Sequence, residues 1–322
     1  MGFHGVKKRI GQSGIFLFLQ GIKDEVREKV MNGNVWTRLL VAALFTAAGA
    51  CELYAQQGES LLIGGWGFAE SGYAQKNRVN YARVVYEPTE SNARNICSKK
   101  FHTTVNLKAK STGQLLAKDE FLAGVREWAN LSTRYRCIAE LAQDDFGRWW
   151  QKYNKKDRGI ILAVKDAIKK GNPNLQYGAT LYEDDLTRLT ADELNFLGKN
   201  VDVVHFYLHK RDRLNNYGQY IQKIKYHFPS AKIILGVYRT DRREYEKRLK
   251  SSEKEEMDLF MKQLEVCFAM VKRKAADGIE FYPGSLGNDD GVLRGRSMQE
   301  NEEKAFLFMS RKINEQLFQK GF

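Results

Sequence analysis

From Leu175 onward the chain alternates short apolar runs with helical stretches, four times over. The runs are Leu175–Tyr182, Val201–Leu208, Lys232–Tyr238 and Gly278–Tyr282. Helices are expected from Thr190, over Tyr217–Phe228, over Ser252–Ala275 and over Met298–Leu317. Thr190 with Glu193 and Ser252 with Glu255 form capping boxes. Strands joined by helices pack as a parallel sheet with right-handed crossovers. The first half carries the same signals more weakly: strands at Leu61–Trp66 and Tyr135–Glu140, a possible strand at Phe101–Leu107, and helices at Lys118–Ala129 and Gly159–Lys170. The last of these has Ile160, Ala163, Val164, Ala167 and Ile168 on one stripe. Gly64-Gly65-Trp66-Gly67-Phe68 lacks the spacing of a dinucleotide-binding loop, which argues against an open doubly wound sheet. Polar residues gather instead at the ends of many strands. The expected fold is α/β, a single (β/α)8 TIM-type barrel. About seven strands are legible, so one is missing or hidden in the irregular residues 73–113.

Residues 39–50 form the longest apolar run. It is too short to span a bilayer and suits the core of a secretory signal, with Arg38 before it and small residues after it. Met31 stands at the right distance to start such a signal. The expected division is a leader and signal segment over 1–55 and a barrel over 56–322, a length usual for this fold. Export follows, to a periplasmic, secreted or lipid-anchored location. Cys51 permits lipidation, and contact with a membrane is expected only through a signal or lipid anchor. None of the four cysteines lies in a C-x-x-C pair. A zinc cage is therefore not expected. A Cys97–Cys137 disulfide is open to an exported chain, but Cys137 and Cys267 read more simply as small core residues.

The formal charge is +13. The basic residues, among them Lys152, Lys169, Lys170 and Lys272-Arg-Lys274, are spread over helices and loops. That reads as a solvated surface, not a nucleic-acid site; an anionic glycan suits an exported chain better. No H-E-x-x-H, G-x-S-x-G or Walker loop is present.

Barrel active sites lie at the C-terminal ends of strands. Trp66 ends the first strand. Glu140 ends the Tyr135 run, with Asp144 beyond it. Tyr182 and Glu183 follow; then His205 and Tyr207; then Tyr238 and Asp241; then Glu280 and Tyr282. Carboxylates at several strand ends, with aromatics beside them, suit glycosidic-bond chemistry. One carboxylic acid protonates the leaving oxygen, and a second carboxylate attacks or activates water. Trp149 and Trp150 join the aromatic candidates. Glu280 is the sharpest residue, a carboxylate inside the otherwise apolar Gly278-Ile-Glu-Phe-Tyr282. It reads either as a catalytic group or as half of a buried salt bridge. Glu280 and Glu183 are the expected catalytic pair. Trp66, Glu140, Asp144, Tyr182, His205, Tyr207, Tyr238, Asp241 and Tyr282 are the expected substrate-binding residues. His205 and His209 on one extended strand stand roughly 13 Å apart, too far to share a metal, so no metal or other cofactor is expected. The rival readings are a glycan-binding barrel without a competent acid pair and a metal-dependent hydrolase using His205 and Asp241.

Leu181-Tyr-Glu-Asp-Asp185, Val201–His209, Gly236-Val-Tyr-Arg-Thr-Asp241 and Gly278–Gly284 together resemble secreted bacterial TIM-barrel proteins of the glycoside-hydrolase-like kind, themselves uncharacterised. The resemblance covers roughly residues 135–290. It implies a (β/α)8 fold and sugar hydrolysis but assigns no catalytic residue. Tyr182 precedes Glu183 where the best-known retaining clan has an Asn-Glu pair.

If residues 39–50 are a signal core, N-terminal sequencing of the exported protein will find it starting between Cys51 and Gln56. A product that still begins at Met1 or Met31 contradicts this.

Overall fold

Eight short strands, each buried on both faces, close into one parallel barrel. The computed structural model describes residues 61–66, 79–107, 116–153, 156–238 and 253–282, with 253–257 by backbone alone. The strands are β1 (Leu62–Trp66), β2 (Tyr81–Val84), β3 (His102–Asn106), β4 (Ile138–Gln143), β5 (Gln176–Tyr182), β6 (Val203–Tyr207), β7 (Lys232–Tyr238) and β8 (Gly278–Tyr282). Each pairs in parallel with the next, and β8 pairs with β1 through Gly64 opposite Glu280. The described helices are α1 (Glu90–Ser98), α2 (Lys118–Arg134), α3 (Phe146–Lys152), α4 (Arg158–Gly171), α5 (Glu183–Arg188), α6 (Ala191–Gly198), α7 (Tyr217–His227) and α8 (Glu253–Lys272). The capping box expected at Thr190 starts α6, with both reciprocal hydrogen bonds formed. Among these residues no helix is long and apolar enough to cross a membrane. The expected signal core, the Ser252 cap and the last helix lie outside the described residues.

The two-residue period of a strand sorts the side chains. Ile63, Val105, Leu141, Leu181, Phe206, Leu235 and Phe281 face outward into one large core with the helices. That core also takes the stripe of α4, including Ile160, Val164 and Ile168. Trp149 and Trp150 are buried in it, so they are packing residues and no sugar platform. The inward positions make three tiers. Leu62, Tyr81, Val203 and Ile234 form an apolar floor of their own. Charged residues make the middle, and aromatics make the rim at the C-terminal ends.

The hidden strand is β2, within the irregular stretch, and α1 follows it. Its four residues, Tyr-Ala-Arg-Val, alternate a lumen-facing Tyr81 and Arg83 with a helix-facing Ala82 and Val84, so no apolar run announces it. β4 starts three residues later than expected, at Ile138. Glu140 therefore sits within the strand rather than at its end. The shift also leaves Cys137 just outside β4, against the last turn of α1, where it forms a disulfide with Cys97 at a Cα–Cα distance of 5.5 Å. This corrects the reading of Cys137 as a core thiol. Cys267 is free and buried, as expected of a core residue.

The bridge spans a sequence separation of 40 residues. Closing a loop of that size stabilises the native state by about 2–4 kcal/mol. The double variant Cys97→Ser/Cys137→Ser should therefore melt several degrees lower, and reduction of the native protein should reproduce the loss. Equal melting temperatures would show that the bridge carries no stability.

Candidate functional site

Four even-numbered strands each send a charged side chain into the lumen: Arg83 from β2, Glu140 from β4, His205 from β6 and Glu280 from β8. All four are buried, Glu280 completely at 0% exposure. Arg83 Nη1 donates to Glu280 Oε1 at 2.9 Å. His205 Nδ1 stands 3.1 Å from the same oxygen, and its Nε2 donates to Glu140 Oε1 at 2.7 Å. Neutral groups complete the shell. Tyr81 Oη donates to Glu280 Oε2 at 3.0 Å, and Thr104 Oγ1 donates to Glu140 Oε2 at 2.8 Å. Arg83 Nε donates to Asn106 Oδ1 at 2.9 Å, and its Nη2 donates to Thr180 Oγ1 at 2.6 Å.

An isolated charge cannot be buried this deeply without neutralising itself. Here two cations face two anions, and the set is electrically balanced. Burial alone would raise the Glu280 carboxyl. The His205 and Arg83 charges outweigh it and hold the group down at about 2. Burial would lower His205, but Glu140 and Glu280 outweigh both burial and the Arg83 charge and lift it to about 9. Glu140 is lowered against its burial by His205, Thr104 and Arg83. At neutral pH the network is thus ionised throughout, with His205 an imidazolium. The small residues of neighbouring strands make room for it. A Cβ on Gly178 of β5 would overlap the Glu140 carboxylate, and one on Gly236 of β7 would overlap the Tyr207 ring.

Above the charges lies the aromatic rim. Tyr182, Tyr207, Tyr238 and Tyr282 share one end of the barrel, as expected of four strand ends. Successive ring centroids lie 6.4, 4.9 and 5.4 Å apart, and Trp66 stands 5.2 Å from Tyr282. Trp66 Nε1 donates to Tyr207 Oη at 3.1 Å, and its ring lies 4.6 Å from the Arg83 guanidinium. Burial first, then the Glu280 charge, raises the Tyr207 hydroxyl, so it stays protonated. Trp66, Tyr238 and Tyr282 are partly open to solvent.

Asp144 joins the two tiers. It follows β4, its side chain is 41% exposed, and Oδ1 stands 3.7 Å from Arg83 Nη2. Burial raises its carboxyl, Asp145 and Glu280 add to the rise, and Arg83 only partly opposes it. Asp145 adopts a left-handed conformation at φ 46° where α3 begins, and its Oδ1 accepts from Tyr182 Oη at 2.7 Å. Glu183 is held differently. It is the first residue of α5, and its two oxygens accept the backbone N–H groups of His209, at 2.9 Å, and Lys210, at 3.0 Å. The structure therefore gathers Glu280, Glu140, His205 and Asp144 around Arg83, and it ties Glu183 to the loop after β6. His209 lies beyond the end of β6 at Tyr207, not on the strand with His205. Asp241 lies outside the described residues. Among those residues no cluster of three or more His, Cys, Asp or Glu side chains is arranged to hold a metal ion.

The sequence reading missed Arg83, Tyr81, Thr104, Asn106 and Thr180. Arg83 went unseen with its strand. The others are ordinary strand residues until the carboxylates they serve are known.

No protein-family description matches the chain, and no curated protein matches its sequence. Its structure is similar to solved glycoside hydrolase barrels. PbGH5A, a family 5 enzyme from Prevotella bryantii, matches with a TM-score of 0.50 at 11% identity over 78% of this chain and 96% of that one. The GH53 catalytic domain of Ignisphaera aggregans matches at 0.46, 15%, 72% and 83%. A β-D-glucuronidase of Dictyoglomus thermophilum matches at 0.48, 10% and 76%, and the chain spans half its length. The likeness is one of fold.

The shifts above set a pH profile for stability. His205 binds its proton more tightly folded than unfolded, so its contribution is full below pH 6.5 and is lost as pH rises through about 9. Glu280 is depressed, so its contribution is full above pH 4.5 and is lost as pH falls toward 2. Thermal melts should therefore peak between those limits and decline on both sides. His205→Gln strands two buried carboxylates and should cost about 3–5 kcal/mol, and it should also flatten the alkaline decline. A wild-type melting temperature constant from pH 6 to 9.5 would contradict the assignment.

Proposed function

We propose that the chain is an exported glycoside hydrolase in which Asp144 is the proton donor and Glu280 the ionised carboxylate. The observation that carries this reading is the opposite pull on two carboxyls beside one guanidinium. Asp144 is partly exposed and pushed up, which favours proton donation; Glu280 is held down at about 2, so it is ionised, the state a nucleophile or base starts from. Arg83 contacts both, which keeps them within roughly 9 Å, inside the outer limit that glycosidases use. Asp144 replaces Glu183 in the pair because both Glu183 oxygens are occupied by backbone amides.

In the reaction Asp144 gives its proton to the glycosidic oxygen as the bond to the anomeric carbon breaks. Glu280 supplies the opposing negative charge. At a separation of roughly 5–5.5 Å it attacks the anomeric carbon itself; at roughly 6.5–9.5 Å it deprotonates the attacking water. Either step requires the side chains that bury Glu280 to open a path to it. The partly exposed rings of Trp66, Tyr238 and Tyr282 suit the C–H faces of sugar rings. The Cys97–Cys137 bridge and the apolar run at 39–50 support export, since disulfides persist in oxidising compartments. The net charge of +10 left beyond residue 55 supports an anionic saccharide. A glycan-binding barrel without hydrolysis is the second reading, favoured by the complete burial of Glu280.

The test is a screen against xylan, aryl β-glucuronides and aryl β-galacturonides. On the substrate that is cleaved, Asp144→Asn should lower kcat by about 10²–10⁴-fold. Its stability should stay within about 0.5 kcal/mol of wild type. Undiminished activity in Asp144→Asn would remove it as the acid. Binding of a saccharide with no cleavage of any would select the second reading.

A further inference from the structure

His209 packs between two tyrosines of the rim, Tyr182 and Tyr238. Its ring stacks on Tyr182 at 3.8 Å and 14°, and it faces Tyr238 at 5.7 Å and 20°. Yet His209 belongs to no strand. β6 ends at Tyr207, and a 3-10 turn begins at Arg211. Between them the chain has left the sheet. Lys210 Nζ donates to Asp184 Oδ1, and Arg211 Nη2 donates to the Tyr238 carbonyl. Glu183 anchors the backbone itself. Its Oε2 takes the His209 N–H and its Oε1 takes the Lys210 N–H. A carboxylate at 0% exposure is costly, and two amide donors offset that cost.

The arrangement is economical in sequence. Tyr182 and Glu183 are neighbours. One holds the His209 ring by stacking, and the other holds its backbone. The same Tyr182 donates its hydroxyl to Asp145, beside Asp144.

We propose that Glu183 is a positioning residue that fixes the exit of β6 so that Tyr182, His209 and Tyr238 form one rigid wall of the mouth. Its consequence for sugar affinity rests on the saccharide reading above; its structural content does not. The test uses the full chain with Glu183→Ala and Glu183→Gln. In the wild type the His209 ring-proton NMR signals should be displaced by the Tyr182 ring current. In Glu183→Ala that displacement should collapse. Glu183→Gln keeps one acceptor oxygen and loses the other, so it should show a partial loss, and it decides the matter if the alanine variant fails to fold. For xylan or an aryl glucuronide that the wild type cleaves, KM should rise about ten-fold in Glu183→Gln with kcat nearly unchanged. Unchanged His209 signals in Glu183→Gln, or a fall in kcat at constant KM, overturn the proposal. A wild type that neither binds nor cleaves these sugars overturns the saccharide reading instead, and the NMR comparison still decides the role of Glu183.

Discussion

Glu280 lies between Arg83 and His205, and His205 lies between Glu280 and Glu140. This alternation of charges, from β2 to β8 to β6 to β4, crosses the lumen where an ordinary barrel packs branched apolar side chains. Its cost is desolvation and its compensation is balance. Two positive and two negative groups are each surrounded by counter-charges and neutral donors. Removing any one member leaves an uncompensated charge in a dry interior, a loss of several kcal/mol. The network therefore sets the protonation state of the lumen and ties together four strands that do not pair with one another.

The rest of the site is arranged around that balance. The apolar floor of Leu62, Tyr81, Val203 and Ile234 closes the tier from below. The aromatic rim closes it from above, with Trp66 over Arg83. Glycines on β5 and β7 yield lumen space to Glu140 and Tyr207. Asp144 reaches from the guanidinium toward solvent, and of the carboxyls beside Arg83 it is the one whose surroundings raise it. Two carboxyls beside one cation are thus pulled in opposite directions by their environments rather than by residue type.

Much of this was legible in the sequence. β7 and β8 stand at the expected residues, and the other apolar runs lie within a few positions of their strands. Glu280 announced itself because a carboxylate in a five-residue apolar strand has to be compensated. The salt-bridge half of the expectation is what the structure shows: Glu280 faces the lumen and pairs with Arg83. The tyrosine rim followed from strand ends alone. β2 did not, because Tyr-Ala-Arg-Val carries a charge at its inward position and too little apolar length to register. Glu183 misled for a related reason. A carboxylate just after a strand reads as a mouth residue, and only three-dimensional proximity to the His209 and Lys210 amides reveals its partners. Cys137 depended on a three-residue shift in the start of β4, an error that periodicity does not prevent.

The protonation of His205 tests the network most directly. The chain has five histidines, so ring-nitrogen NMR resolves them individually. The account predicts that at pH 7 both His205 ring nitrogens carry protons and that the ring titrates near pH 9. A neutral His205 at pH 7, with one bare ring nitrogen, would mean the lumen is not charge-balanced and would contradict the account.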